Sequence, residues 1–451
     1  MYSENQLCKL FAIYSVTLEI IVYLQKYSVM TENIEKASKY NFWNSETQDL
    51  GYKRVEYLEK IKHFTDNKLV KVLVGQRRTG KSYLLRQILE QLIQSGIPPQ
   101  NTFYINKEFV DFDFLSDYKE LASLIDDYKE ALQPNGKIYL FIDEIQQITG
   151  WERLVDSYSQ DFVETYELFI SGSNSQMLSG ELATLLSGRY VSFLIYPFSY
   201  GEFCLYKSLE QSKQSYLNYL QTGGLPELFH LHEQETKRHY VSAIKDTVLL
   251  RDVIQRYNIK DARLLEDVFV YLVNNASNLL SINNLVNYFK SKNRKTNYET
   301  IANYIQYIEN TFLVHRADRY NIKGKEIISG TGKYYINDLS FKNYLYSGFG
   351  YGIGYLLENA VYLQLSQSGY EVYVGVLRNA EIDFVARKDD KLVYIQVAYL
   401  LDNEKAFERE FGALKLVPDN FEKYVVTLDD IQFSGMDGIR HIQVWNLNTV
   451  L

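Results

Sequence analysis

The chain has only two cysteines among its 451 residues, Cys8 and Cys204. Two thiols this far apart give neither a metal-ligand spacing nor a disulfide framework, which points to a reducing cytoplasm. No apolar run is long enough to cross a membrane. The best stretch, Leu10 to Leu24, is short and is interrupted by Glu19. It also lacks a basic leading segment and a small-residue cleavage site, so it makes a poor signal peptide. A large positive charge is missing too. The net charge is −8, which excludes a polycation built throughout for nucleic acid. Any such binding must come from a local basic patch. Internal repeats and low-complexity tracts are absent. What remains is 46% hydrophobic content, ordinary for a globular protein, on a chain long enough for about two to four domains. The 40 tyrosines mark no site. Residues 1–29 read either as an upstream extension or as a short amphipathic helix packed on the first domain.

The most informative segment is the octet Gly75-Gln76-Arg77-Arg78-Thr79-Gly80-Lys81-Ser82. It fits G-x-x-x-x-G-K-[ST], a phosphate-binding loop. Its glycines let the backbone turn so that successive N–H groups converge on phosphate oxygens. Lys81 is expected to reach the β/γ-phosphates of ATP, Ser82 to supply a hydroxyl to Mg²⁺, and Tyr83 to end the nucleotide-contacting stretch. Arg77 and Arg78 add positive potential, or extend into solvent. The context agrees with the motif. Leu69 to Val74 reads as a buried parallel strand, and Leu84 to Ile93 shows helical spacing that ends at Gly96.

Further strand-like runs follow at 102–105, 138–142, 168–170 and 190–195, with helical patterns between them. That alternation predicts an α/β fold with a parallel five-stranded sheet. Residues 206–257 read as helical, broken by Gly223-Gly224-Leu225-Pro226. Three more helical patterns (264–273, 282–289, 298–309) and two short strands (312–316, 333–336) outline a winged helix. A last α/β stretch begins with a helix near Leu356, with strands at 371–376, 382–386, 392–397 and 424–427.

Ile138 to Ile142 runs into Asp143-Glu144. After a phosphate loop, such a pair reads as a magnesium-binding Asp143 and a general base, Glu144, acting on the attacking water. Asn174, after the next strand, either touches the γ-phosphate or caps a helix. Arg189 is a candidate arginine finger, with a surface salt bridge as the alternative.

The stretches GQRRTGKS, IYLFIDEIQ, SGSNSQML, SGRY…PFSYGEF and GGLPE together resemble the AAA-type ATPases of bacteria and archaea whose C-terminal part is nuclease-like. The resemblance covers roughly Val55 to the C-terminus. It implies a P-loop ATPase core (51–205) after an N-terminal extension (1–50), a helical lid (206–258), a winged helix (259–336) and a restriction-endonuclease-like α/β domain (337–451).

A PD-(D/E)xK nuclease needs a helix carboxylate, a strand Asp and a (D/E/Q)-x-K on the next strand. Glu358, Asp383 and Gln396 fill three of these positions. Ala398 stands where the lysine belongs, so a degenerate, binding or structural domain is the favoured expectation. Glu358 also reads as an acid at a helix N-terminus, favoured by the macrodipole. Lys290, Lys292, Arg294 and Lys295 form a basic cluster that either meets DNA phosphates or is solvated. The functional expectation is Mg²⁺-dependent ATP hydrolysis driving a switch that controls binding to DNA or to a protein. The alternatives are an ATP-controlled DNA endonuclease and a nucleotide-binding regulator with little turnover.

Overall fold

The computed structural model describes residues 32–44, 48–178, 186, 188–346 and 352–451. The expectation for residues 1–29 lies outside these. By contact the chain forms two compact units. The first holds the chain up to Val74, Lys81–Gly172 and Gln176–Leu194; the second holds Gly75–Gly80, Ser173–Ser175 and Ile195–Leu451.

The first unit contains α1 (Glu32–Ser38), α2 (Val55–Lys62), α3 (Lys81–Gln94), α4 (Tyr118–Leu132) and α5 (Trp151–Gln160). Its strands are β1 (Val70–Val74), β2 (Thr102–Asn106), β3 (Ile138–Asp143), β4 (Tyr166–Gly172) and β5 (Tyr190–Leu194). They form one all-parallel sheet in the order β2-β3-β4-β1-β5. β1 to β4 are buried along their whole length, which is why they read as near-continuous apolar runs. Two buried charges interrupt that pattern and answer each other. The Lys71 ammonium on β1 lies 2.5 Å from Glu167 on β4, both without exposure. Asp117 and Glu120 close a reciprocal capping box at the start of α4.

The second unit begins with α6 (Tyr200–Lys207), α7 (Lys213–Thr222) and α8 (Gln234–Thr247), the last running into a π-helical stretch, Val248–Gln255. Then come α9 (Ala262–Asn274), β6 (Leu279–Leu280), α10 (Ile282–Ser291), α11 (Tyr298–Glu309), β7 (Val314–Asn321) and β8 (Glu326–Ile336). The remainder comprises α12 (Ile353–Gln367), β9 (Glu371–Val376), β10 (Glu381–Lys388), β11 (Lys391–Ala398), α13 (Glu404–Lys415), β12 (Glu422–Thr427) and β13 (Ile439–Gln443). These strands form a single eight-stranded sheet, β13-β12-β11-β10-β9-β7-β8-β6. The expected boundary at 336/337 is therefore no break in the structure. β7 pairs with β9 through Arg319↔Val374, Tyr320↔Gly375 and Asn321↔Val376, so the ribbon and the last α/β stretch share one sheet.

Candidate functional site

The phosphate loop is built from backbone that only particular residues tolerate. Gly75 has φ +153°, and a Cβ there would sit 2.2 Å from the Ile195 carbonyl oxygen. Gly80 has φ +92° with open space around it, so backbone and ligand can approach closely. The Thr79 hydroxyl donates to the Gln76 carbonyl across the turn (3.0 Å). Gly75→Ala is therefore expected to cost about 1–3 kcal/mol of strain and to weaken ATP binding correspondingly. A nucleotide titration of the folded variant checks this, and unchanged affinity would show that the loop accommodates the methyl.

Loop side chains are tied within the second unit. Arg77 grips Asp252 bidentately, Nε at 2.7 Å and Nη2 at 3.1 Å. It is thus committed to an ion pair in the π-helical stretch, contrary to the expectation of a solvated side chain or a source of phosphate-directed potential. Arg78, exposed and in the left-handed region at φ +68°, better fits a solvated residue. Gln76 Oε1 accepts from Asn337 Nδ2 at 2.9 Å, and both residues are buried. Asn174 is buried in Ser173–Ser175. Its neighbour Ser175 is bound twice to Asn310 beyond α11, through the backbone N–H (2.8 Å) and the hydroxyl (2.9 Å).

In the first unit, Lys81 is buried as the first residue of α3, where N–H groups point out of the helix. Ser82 follows, half-buried, and Tyr83 is exposed. Asp143 ends β3, fully buried. Its Oδ2 accepts from Tyr104 (3.1 Å) and Asn106 (2.9 Å), and its Oδ1 accepts from the Ser171 hydroxyl. Burial, then the Asp143 charge, holds the Tyr104 hydroxyl well above the ordinary phenol value, so it remains a donor. Glu144 is a non-glycine residue in the left-handed region, φ +54°. Its N–H donates to Ser171 Oγ (3.2 Å), and its carboxylate accepts from Gln146 (2.5 Å). Strained backbone of this kind collects where a side chain must be aimed. Tyr104, Asn106, Ser171 and Gln146 were not singled out from sequence. Their only signal there is position, at or just beyond strand ends beside Asp143.

For Arg189 the sequence left an arginine finger and a surface salt bridge open. It precedes β5, and Tyr190 pairs with Val70 at the start of β1, whereas Leu194 pairs with Val74. Arg189 thus lies at the opposite end of the parallel sheet from Val74, about 16 Å along the strands at the usual rise per residue. Its guanidinium pairs with Asp156 (3.5 Å). That is the salt bridge of the two alternatives.

The C-terminal carboxylates hold an unexpected partner. Glu358 is on the second turn of α12, which starts at Ile353, so it is not the helix-terminal acid foreseen from sequence. Lys333 of β8 lies 3.0 Å from Glu358, 3.0 Å from Glu381 and 3.7 Å from Asp383. Tyr335 donates to the same Glu358 oxygen (2.9 Å). Asp383 sits in the β-bulge between Ile382 and Val385, and accepts from Val397 N–H (2.9 Å). Gln396 Oε1 accepts from Asp383 N–H (3.3 Å). Lys333 of β8 thus brings these carboxylates an ammonium, which Ala398 does not offer. The cations nearby in sequence are engaged elsewhere: Arg387 with Glu371, Lys388 with the Ser368 carbonyl, Lys391 with the Val450 carbonyl. Burial opposes the Lys333 charge, but the three carboxylates outweigh it and hold its pKa above the ordinary lysine value. Burial, then the Glu358 charge, pushes Asp383 up to about 8. Among the described residues, no group of three or more His, Cys, Asp or Glu side chains is gathered for a metal ion.

In the basic cluster, Lys290, Lys292 and Lys295 are exposed, while Arg294 pairs with Asp267 (2.6 Å). Among the described residues, no helix is long and apolar enough to cross a membrane.

Residues 67–204 match a family model described as an AAA domain, and residues 213–351 match a domain of unknown function (DUF8612). An uncharacterized protein of Haemophilus influenzae is 35% identical over 87% of this chain and 97% of its own length. Another, of Methanocaldococcus jannaschii, is 30% identical over 81% of this chain and 83% of its own. Among solved structures, the Aeropyrum pernix ORC1 protein in complex with DNA is similar at 12% identity, covering 67% of this chain and 94% of that one, with a TM-score of 0.34.

Proposed function

We propose, from the premise that this chain belongs to the AAA-domain family with its Haemophilus and Methanocaldococcus relatives, that it binds ATP with Mg²⁺ and hydrolyses it at Gly75–Ser82, Asp143 and Glu144. The observation that carries this reading is the loop itself. Its glycine backbone leaves room beside Gly80, and it runs directly into a helix whose first residue is a buried lysine. That donor set fits a polyphosphate.

In this reading the loop N–H groups and Lys81 bind and orient the β/γ-phosphates. The Ser82 hydroxyl and Asp143 are the residues that would hold Mg²⁺, whose chemistry when bound is to neutralise charge on those phosphates. Tyr104, Asn106 and Ser171 keep the Asp143 carboxylate oriented. Glu144 takes the proton of the attacking water, with Gln146 fixing its carboxylate. Asn174 contacts the γ-phosphate or the water.

The output is a change in binding to DNA or to a protein, carried by the second unit. Residues 259–336 run α9-β6-α10-α11-β7-β8, the order of a winged helix, with three exposed lysines beside α10. The last α/β stretch, which shares its sheet with β7 and β8, is read as restriction-endonuclease-like. Its carboxylates are engaged by a buried lysine, which favours a structural or binding role over DNA cleavage.

A thermal-shift titration with MgATP, with and without duplex DNA, tests the reading. ATP is expected to raise the melting temperature, and DNA to shift the ATP midpoint. Failure of every nucleoside triphosphate to move the melt would sink the ATPase reading. A DNA-independent ATP response would direct the search to a protein partner.

A further inference from the structure

We propose that Asn337 is a positioning residue for the phosphate loop, and that strand β8 links the loop to the Lys333–Glu358–Asp383 cluster. ATP affinity would then depend on the state of that cluster. The proposal rests on the ATP-binding reading above and adds a regulatory connection to it.

The hub is one short stretch, Lys333-Tyr334-Tyr335-Ile336-Asn337-Asp338. Alternation along a strand puts Lys333, Tyr335 and Asn337 on one face. Lys333 and Tyr335 both meet Glu358 Oε1, at 3.0 and 2.9 Å. Asn337 donates to Gln76, the second residue of the loop (2.9 Å). Its other amide atom, Oδ1, is 2.9 Å from Nε2 of the partly buried His315, which lies opposite Tyr335 on β7. Burial keeps the His315 pKa low, so the ring is neutral and can donate through one nitrogen. The stretch is also fixed from behind. Asn359, next to Glu358 on α12, accepts from the Ile336 N–H and donates to the Ile336 carbonyl, both at 2.8 Å. Asp338 then accepts from the Gly224 N–H (2.7 Å). A side chain at Gly223 would meet Asp338 Oδ1 at 2.3 Å, and one at Gly224 would meet the Phe198 carbonyl oxygen at 2.3 Å, which accounts for the glycine pair of the GGLP turn.

No soft element separates the cluster from the loop. About four residues of strand span them, roughly 13 Å, and both ends are bonded to buried polar groups. A shift of β8 that reorganises Lys333 among its carboxylates therefore moves the anchor of Gln76. ATP, which needs the loop N–H groups convergent, binds the two arrangements differently. Such a difference acts in both directions.

The test uses the full chain and a fluorescent ATP analogue. Asn337→Asp keeps the shape and the oxygen facing His315 but removes the donor to Gln76. It is expected to weaken ATP by about fivefold or more, with KM rising more than kcat falls. Glu358→Gln, at the other end of this stretch of β8, is expected to change ATP affinity at least threefold. Arg387→Ala, at an exposed pair in the same sheet, should leave it unchanged. Hydrogen exchange at the β8 amides should slow on adding ATP in wild type and not in Asn337→Asp. Wild-type affinity in both folded variants overturns the proposal while leaving the ATPase reading intact. If Glu358→Gln fails to fold, Asn337→Asp and the exchange data decide alone. Absence of ATP binding by the wild type overturns the ATPase reading and this proposal together.

Discussion

Glu144→Gln should bind ATP as tightly as the unaltered chain and hydrolyse it about 10²–10⁴-fold more slowly, the usual contribution of a positioned general base. Glutamine keeps the size of the side chain and its acceptor oxygen, so the contact with Gln146 survives. The left-handed backbone, held by Ser171, is also unchanged. Only the capacity to take a proton is lost. Lys81→Ala should behave in the opposite way, removing the buried ammonium that opens α3 and with it ATP binding. Equilibrium binding and single-turnover hydrolysis separate the two outcomes. A Glu144→Gln protein with undiminished turnover would remove Glu144 from the mechanism. A Lys81→Ala protein with normal affinity would remove the loop.

Lys333→Met should destabilise the fold by about 3–5 kcal/mol, the range for deleting one partner of a buried ion pair. Methionine fills much of the volume, so the loss is electrostatic. Glu358 and Asp383 would be left buried, with Glu381 half-exposed, and no ammonium among them. The pH dependence gives the sign. Asp383 has its pKa raised from 3.8 to about 8 by burial and by Glu358. A carboxyl raised in the folded state contributes stability that is present below pH 3.8 and is lost as pH rises through about 8. Lys333 opposes that rise for Asp383 and Glu358 alike. Deleting it should therefore cost most at pH 8 and progressively less toward pH 4. Adding Glu358→Gln to Lys333→Met should recover part of the loss at neutral pH. Chemical denaturation at pH 5 and pH 8 measures this, and an equal loss at both would mean that the cluster is not charge-limited.

The legible parts of the molecule were those where local sequence and buried environment agree. β1 to β4 of the first sheet are buried along their whole length, so their apolar runs were visible, and the octet gave the loop and the start of α3. What was hidden involves partners distant along the chain. Arg77 and Asp252 are 175 residues apart, and no local pattern pairs them. Lys333 is 25 residues from Glu358, on a strand where a lysine reads as solvent-facing. Two residues after Gln396 the strand carries Ala398, and spacing along one strand cannot point to a lysine on another. β13 and α13 were also unseen. The first is short and mixes charge with apolar residues, as edge strands do. The sequence neighbourhood of Arg189 does not say at which end of the sheet it stands, so its two readings stayed open.

The junction of β7 with β9 bears on how this protein can be taken apart. A chain cut after Ile336 would bare the β7 backbone from Arg319 to Asn321, together with the apolar face that Ile322 shares with the last α/β stretch. An unpaired edge beside exposed apolar surface invites pairing with other chains. The last α/β stretch is therefore no detachable cargo. A deletion that removes it should expose the β7 edge and that apolar face, and should report aggregation before it reports activity.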